Sequence, residues 1–171
     1  MSINLVRPTL KHKENALEFK KEFFEHGENV INGSEMLDNM DSYDNWLNSV
    51  LNNANPDKVN PDWVLTDTFF AVDDAGKIIG IVDFRHELKG FLVDFGHAGY
   101  SVRPTERRKG YATEILSQIK QIAKEAGLSA LQLSVERKNE PSVKTILKNG
   151  GKLQRSFEYE GEMADVYLIE L

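Results

Sequence analysis

The chain has 171 residues, of which 40% are hydrophobic and 28% are charged, and its formal net charge is −6. This size and composition are those of a globular protein that builds its own hydrophobic core, and they exclude wholesale disorder. The sequence contains no cysteine, which excludes disulfides, thiolate nucleophiles and cysteine-based metal sites and suits a reducing cytoplasm.

Several further classes of protein are not expected. No segment resembles a signal peptide or has the length of a membrane span, so we expect a cytoplasmic protein without a membrane partner. The acidic balance, with no basic stripe among the aromatic residues, argues against nucleic acid as a ligand. Four scattered histidines show no paired ligand spacing, so no metal is expected. No repeat or linker interrupts the sequence, and we expect one domain over residues 1–171.

The N-terminal part predicts one strand and two helices. Residues 3–6 are a short strand candidate that Pro8 closes. A helix ending at His26-Gly27 is predicted by apolar residues that share one face: Ala16, Phe19, Phe23 and Phe24. Ser42 is the predicted N-cap of a second helix, whose apolar face would be Trp46, Leu47, Val50 and Leu51.

The middle of the chain predicts strands. Residues 68–72 and 78–84 form a hairpin signal, because Gly76 can take the positive φ that the turn between them needs. Residues 91–102 are the next predicted strand. Gly96 and Gly99 inside it indicate a bulge or the close approach of another backbone or a ligand.

The last third alternates between helix and strand. An apolar stripe predicts a long helix from about Gly110 to the C-cap residue Gly127. A strand follows over 131–135, and then a helix from Pro141 that stops at Gly150. Two final strands are expected near Leu153 and over 166–171. This order predicts a mixed α/β fold, a sheet flanked by helices.

The segment over 99–113 carries the strongest chemical signal. A strand ends at Pro104, a basic loop follows, and a helix begins around Gly110. The first amides of a helix have no intrahelical partner and the helix dipole adds positive charge, so the site suits an anionic phosphate. Gly110 and Ala112 leave room for phosphate oxygens at the backbone. Taken alone, the pattern fits a charged turn before a helix equally well.

The surroundings of this loop extend the signal. Arg107-x-x-Gly110-x-Ala112 resembles the pyrophosphate loop of GNAT acetyltransferases, which bind acetyl-CoA. About 27 residues after Ala112, Asn139-Glu140-Pro141-Ser142 resembles the Asn-x-x-Ser/Ala element of that family. The segments 85–88 and 96–100 resemble a bacterial branch of predicted acetyltransferases. The resemblance is good over residues 68–171, and the N-terminal helices match by position only.

The resemblance implies a fold, a reaction and a set of binding residues. The fold is the GNAT fold, whose central twisted sheet is mixed and mostly antiparallel and is flanked by helices. The reaction is direct transfer of the acetyl group of acetyl-CoA to a primary amine of a small molecule or peptide. The implied cofactor-binding residues are Tyr100, Val102, Arg107, Arg108, Lys109, Gly110, Tyr111, Ala112, Thr113, Asn139 and Ser142. For Asn139, capping the helix that begins at Pro141 is an equal alternative.

The catalytic residues are less well defined by the sequence. A lysine-type amine has a pKa of about 10.4, so a base must take its proton. Four candidates lie near the central strands, and none is singled out by spacing: Glu87, His86, Asp94 and His97. The N–H of Val102 is the predicted donor to the oxyanion. Family members that protonate the thiolate with a side chain usually carry a tyrosine seven residues after the asparagine, where this sequence has Ile146. The catalytic candidates that we carry forward are Glu87 and His86 as bases and Ser142 as a replacement for the missing acid.

Replacements for the missing acid are Ser142, water or another tyrosine (Tyr100, Tyr159 or Tyr167), and a dedicated acid is also dispensable for a thiol with a pKa of about 8.5. The missing tyrosine favours a second hypothesis, a fold member that binds acetyl-CoA as a sensor or scaffold without turnover. Four acidic residues could draw a cationic amine or form a solvated loop: Glu28, Glu35, Asp38 and Asp41. The sequence leaves a homodimer through a terminal strand open.

Overall fold

A computed structural model describes residues 2–171 as alternating strands and helices. The strands are β1 (Asn4–Val6), β2 (Thr66–Val72), β3 (Ile78–Arg85), β4 (Ala98–Val102), β5 (Ala130–Glu136), β6 (Lys152–Tyr159) and β7 (Glu162–Glu170). The helices are α1 (Lys13–Glu25), α2 (Tyr43–Asn53), α3 (Leu92–Phe95), α4 (Tyr111–Glu125) and α5 (Glu140–Lys148). This element order confirms the predicted mixed α/β fold.

The strands form two antiparallel sheets, ordered β1-β2-β3-β4 and β5-β7-β6. The sheets meet where Gly96 bridges Leu133 and where the His97 N–H donates to the Gln132 carbonyl at 2.7 Å. Beyond this point β4 pairs with β3, and β5 pairs with β7. The two sheets therefore part between β4 and β5, and this opening positions the site described below.

Two hydrophobic clusters hold the layers together, one on each side of the first sheet. Ile115, Leu116 and Ile119 of α4 are fully buried against one face. Phe19 of α1 and Trp46 of α2 are fully buried against the other face. Each such side chain contributes about 1.5–3 kcal/mol relative to an exposed one. The layers on both sides of β4 are thereby fixed.

Three predictions about local structure were wrong. Phe24 and Leu51 are 41% and 49% exposed, because the apolar stripes of α1 and α2 are narrower than predicted. Residues 91–102 are interrupted by α3, which Gly96 ends at a φ of +85°. A Cβ there would lie 2.5 Å from the Gln132 carbonyl oxygen, so the predicted close approach is confirmed. β7 begins at Glu162, before the predicted residue 166.

The early start of β7 follows from a tight turn. Glu160 and Gly161 both have positive φ, 51° and 80°, and Tyr159 pairs directly with Glu162. Two such residues form the two-residue hairpin turn that matches the twist of a sheet. β7 lies between β5 and β6, so this terminal strand has no open edge for a partner, and β6 is the outer strand instead. Over residues 2–171, the helices include none with the length and apolar character to cross a bilayer.

Candidate active site

The first cavity is a groove of about 650 Å³ between β4 and the N-terminal ends of α4 and α5, which we call the β4–α4 groove. It brings together most of the predicted cofactor-binding residues: Tyr100, Val102, Arg107, Arg108, Gly110, Tyr111, Ala112, Thr113, Asn139 and Ser142. Lys109 is absent from this lining, and its ammonium binds the Glu106 carboxylate at 2.8 Å.

The N-terminus of α4 forms one end of the groove. Gly110 is the N-cap residue and has a φ of +86°. The first intrahelical bond runs from the Glu114 N–H to the Gly110 carbonyl at 3.2 Å, so the amides from Tyr111 to Thr113 precede it. These amides and the helix dipole favour an anion at this position.

Basic side chains border the groove, and one of them forms an ion pair with a carboxylate of the protein. Arg107 forms two bonds to the Glu28 carboxylate, at 2.7 and 2.8 Å, and its Nε donates to the Val102 carbonyl at 3.2 Å. The Arg107 guanidinium holds the pKa of Glu28 below its usual range. Lys144 and Lys148 also line the groove, one helical turn apart on α5. Neither lysine was predicted to bind the cofactor, although their i, i+4 spacing after Asn139 was a signal.

The open edge of β4 faces the same groove. The Arg85 N–H donates to the His97 carbonyl, and the Arg103 N–H donates to the Ile79 carbonyl. Because backbone groups alternate across an antiparallel pair, odd-numbered residues of β4 bond to β3 and the amides of Tyr100 and Val102 point outward. An extended ligand could pair with these two residues as an added strand does.

The second cavity lies where the sheets part, and we call it the aromatic cavity. Its volume is about 510 Å³, and its aromatic lining residues are Trp63, Phe91, Phe95, Tyr100, Phe157 and Tyr159. It shares Asn32, Tyr100, Asn139 and Ser142 with the β4–α4 groove. The two cavities therefore meet at one place.

A pair of hydroxyl groups marks this junction. The Tyr100 and Ser142 hydroxyls share a hydrogen bond of 2.8 Å. Burial raises the pKa of Tyr100, and the hydrogen bond with Ser142 opposes that rise. The Asn139 side chain accepts from the Ser142 N–H at 3.4 Å, so it caps α5 while it lines both cavities. Ile146 is buried and lines the aromatic cavity.

A family profile described as the acetyltransferase (GNAT) domain matches residues 3–152. The chain belongs to the GNAT acetyltransferase family. Comparison with curated protein sequences finds no match.

Solved structures of similar fold include several acetyltransferases with bound ligands. The microcin C7 self-immunity acetyltransferase MccE, in complex with acetyl-CoA and AMP, has 16% identity and a TM-score of 0.73, with 99% of this chain and 92% of that one covered. RimJ of Mycobacterium smegmatis with CoA-disulfide has 16% identity and a TM-score of 0.73, with 98% and 81% covered. YncA of Salmonella typhimurium with acetyl-CoA has 13% identity and a TM-score of 0.68, with 100% and 95% covered. At these identities the likeness establishes the fold.

Two of the predicted catalytic residues of this GNAT protein lie outside both cavities. Arg85 lines the aromatic cavity, and its neighbour His86 packs on the Phe84 ring at 4.7 Å instead. The His86 Nε2 lies 2.7 Å from a carboxylate oxygen of Asp67. Glu87 is exposed. Adjacent residues of an extended chain point to opposite sides, which explains why His86 turns away.

The other two base candidates are already engaged. The Nδ1 atom of His97 accepts the Gln132 N–H at 2.9 Å, which requires an unprotonated nitrogen. Burial, with a smaller effect from Arg85, lowers the pKa of His97 to about 4, so this ring is neutral at pH 7. Asp94 forms an ion pair with Arg155 at 2.7 Å. Among residues 2–171, Glu136 is the one carboxylate that lines the aromatic cavity.

A pair of carboxyl groups lies beneath this cavity. Asp83 accepts the Gly99 N–H at 2.7 Å and an Arg85 guanidinium N–H at 3.2 Å. Burial and the adjacent Asp83 carboxylate raise the pKa of Glu35 to about 9. Glu35 is therefore protonated at neutral pH. Its backbone has a positive φ of +52°. Positive φ in a residue other than glycine costs free energy and is found preferentially near functional sites.

We expect Glu35→Gln to stabilise the protein at alkaline pH. The unfolded state releases the Glu35 proton near pH 4.5 and the folded state near pH 9, so between these values the unfolded state binds fewer protons and stability falls as pH rises. Glutamine stays neutral and can still donate to Asp83. Since one pKa unit corresponds to about 1.4 kcal/mol, the advantage of the variant should grow by about 1.4 kcal/mol per pH unit, to about 4 kcal/mol more at pH 8.5 than at pH 5.5. Urea unfolding at both pH values measures the difference.

The matched control is Glu160→Gln, because Glu160 is exposed and has nearly the same φ, 51°. This variant should show equal changes at the two pH values. A Glu35→Gln variant that is less stable than wild type at pH 8.5 would contradict the assignment of a protonated Glu35.

Proposed function

We propose that this protein transfers the acetyl group of acetyl-CoA to a primary amine. The single observation that carries the proposal is the junction of two cavities at Tyr100, Asn139 and Ser142. One cavity has the features of an anion site at a helix N-terminus, and the other is lined mainly by apolar and aromatic groups. A cosubstrate and an amine that enter from opposite sides would meet at this junction.

The β4–α4 groove has the chemistry that acetyl-CoA requires. The amides from Tyr111 to Thr113 would hold the pyrophosphate, and Lys144 and Lys148 would add positive charge at the phosphates. The outward amide of Val102 would pair with the pantetheine arm. MccE and YncA were solved with acetyl-CoA and share the fold, which agrees with this assignment.

The groups at the junction would handle two protons. Glu136 would accept the proton of the amine through water, because it is an exposed carboxylate at the wall of the aromatic cavity. The outward Tyr100 N–H lies at the junction and would take the role predicted for Val102, donating to the carbonyl oxygen of the thioester. A C–N bond forms as the C–S bond breaks, and the hydroxyl pair of Tyr100 and Ser142 would give a proton to the departing sulfur. That proton stays on CoA as its thiol, and the proton that Glu136 took from the amine returns through water to the hydroxyl pair.

The second candidate function is binding of acetyl-CoA without turnover. Its supporting observation is Ile146, an apolar buried residue at the place where many relatives carry the acid. The hydroxyl pair of Tyr100 and Ser142 favours the enzyme instead, because it supplies a proton donor one turn away on the same helix.

Calorimetry with acetyl-CoA, followed by thiol release with a panel of amines, separates the two functions. We expect micromolar binding and amine-dependent release of one equivalent of CoA per acetylated product. Binding with no thiol release above the rate in water would favour the sensor or scaffold. No binding by folded protein would overturn both.

A further inference from the structure

One wall of the aromatic cavity is a cluster of aromatic rings in contact with one another, and acetyl transfer itself does not require such a cluster. Trp63 lies 5.9 Å from Phe91, Phe91 lies 5.9 Å from Phe95, and Phe95 lies 5.9 Å from Phe157 and 5.0 Å from Tyr159, all between ring centroids. Phe95 is thus the centre of the cluster. Its contacts with three of these rings are edge-to-face, the geometry that aromatic pairs favour.

These rings come from three separate parts of the chain and remain accessible. Trp63 precedes β2, Phe91 and Phe95 belong to the region of α3, and the other two belong to β6. Phe91 is 62% exposed and Tyr159 is 47% exposed. When an apolar ligand covers aromatic surface in an open cavity, that surface is removed from water, and its burial stabilises the complex. The wall therefore favours a flat apolar group over a hydrated one.

A second observation concerns the indole of Trp63. Its Nε1–H is buried, lines the aromatic cavity as part of Trp63, and has no hydrogen-bond partner among residues 2–171. A buried donor without a partner costs about 1–3 kcal/mol. A rotation of the indole that turns Nε1 toward the cavity would let an oxygen acceptor on a ligand satisfy this donor.

The charges around the cavity do not favour a polycation. The acidic loop residues considered from the sequence have partners within the protein: Glu28 binds Arg107, Asp38 accepts the Ile31 N–H at 2.6 Å, and Asp41 accepts from Asn45 at 3.3 Å. Glu35 is neutral. Of the charged residues that line the cavity, Arg85 is balanced by Asp83, and Glu136 leaves one negative charge, which suits a single ammonium group.

We propose that the amine acceptor carries an aromatic ring and a carbonyl or carboxylate oxygen close to its amino group. This assignment rests on the proposed acetyl transfer, and it places the ring against Phe95 and the oxygen at the Trp63 Nε1–H. An aromatic amino acid and the N-terminal aromatic residue of a peptide share this chemistry. The amino group then points to the junction at Tyr100 and Ser142, where the cosubstrate groove ends.

The first test measures binding without acetyl-CoA, so that it does not depend on turnover. The probes are L-phenylalaninamide, 3-cyclohexyl-L-alaninamide, which lacks the aromatic ring, 2-phenylethylamine, which lacks the oxygen, and spermidine, which is a polycation. Calorimetry or ligand-observed NMR gives each Kd. We expect L-phenylalaninamide to bind about tenfold more tightly than each of the others, since about 1.4 kcal/mol separates them.

Two variants separate the contributions. Phe95→Leu should remove the preference for phenylalaninamide over its cyclohexyl analogue, because the central ring is lost. Trp63→Phe keeps a ring and removes the donor, so it should remove only the preference over 2-phenylethylamine. Thermal melts of both variants check that the fold is intact.

Free phenylalanine and the dipeptide Phe-Gly then distinguish the two sources of the ligand, with CoA release as the readout. Equal Kd values for the four probes, tighter binding of spermidine, or no binding to folded protein would each overturn the proposal. Acetyl-CoA binding measured on the same sample shows separately whether the proposed acetyltransferase function holds.

Discussion

Replacing Gly110 by glutamate is expected to weaken acetyl-CoA binding by at least about 100-fold, which corresponds to about 2.7 kcal/mol. The new carboxylate would lie at the N-terminus of α4, beside the amides that we assign to the pyrophosphate. Two anions would then compete for the same donors, at a place where the backbone of Gly110 has a φ of +86°. Calorimetric titration with acetyl-CoA and with CoA measures the loss.

The control for this change is Gly127→Glu, near the other end of the same helix. Gly127 has a φ of +96°, and a Cβ there meets no atom within 4 Å, so the variant carries the same backbone strain and the same charge. It should bind acetyl-CoA as wild type does. Equal binding by wild type and Gly110→Glu, in protein with a cooperative melt, would exclude the pyrophosphate site at α4.

The proposed anion site could be predicted from the sequence because its determinants are local. A strand end, a glycine and the start of an apolar stripe follow one another within residues 99–113, and each is a signal of backbone conformation. The fold class followed for the same reason, since helix and strand periodicities are local patterns. The three helices of eleven or more residues were all predicted, and their ends lie close to the predicted ones.

The errors concern contacts between distant parts of the chain. Arg107 is held by the carboxylate of Glu28, which lies 79 residues earlier in the chain, and this pair was not predicted. The sequence gives no register between these segments. The aromatic cavity was missed for a similar reason, because its rings come from segments that only the parting of the two sheets brings together.

Side-chain direction explains why His86 and Glu87 lie outside the two cavities. His86 and Glu87 were chosen for their place next to a central strand, and one residue of shift moves a side chain to the other face. Glu136 lies at the end of β5, as His86 and Glu87 lie just beyond the end of β3. Its position on the cavity wall depends on where the two sheets part. Strand ends are where single-residue placement is least certain from sequence.

The proposed proton donor lies on a different element from the position where the family usually carries its acid. Ile146 on α5 cannot donate a proton, but Tyr100 on β4 reaches the same helix through its bond to Ser142, 42 residues away in sequence. Burial raises the pKa of Tyr100, so the phenol keeps its proton at neutral pH and is in the protonation state that a general acid needs. Because a thiol has a pKa of about 8.5, the transfer itself is uphill, and reprotonation of the tyrosinate through water has to follow it.

Tyr100→Phe is therefore expected to lower kcat by about 100-fold and to leave the Kd of acetyl-CoA within about threefold, because the ring and its packing stay while the proton donor is lost. Ser142→Ala should have a similar effect, and the double variant should be little worse than either, since two members of one proton path act as a unit.

The control is Tyr159→Phe, which removes a hydroxyl from the exposed wall of the aromatic cavity and should keep kcat near the wild-type value. Steady-state kinetics with an amine at saturation measure all four variants, and full kcat in the double variant would assign thiolate release to water alone.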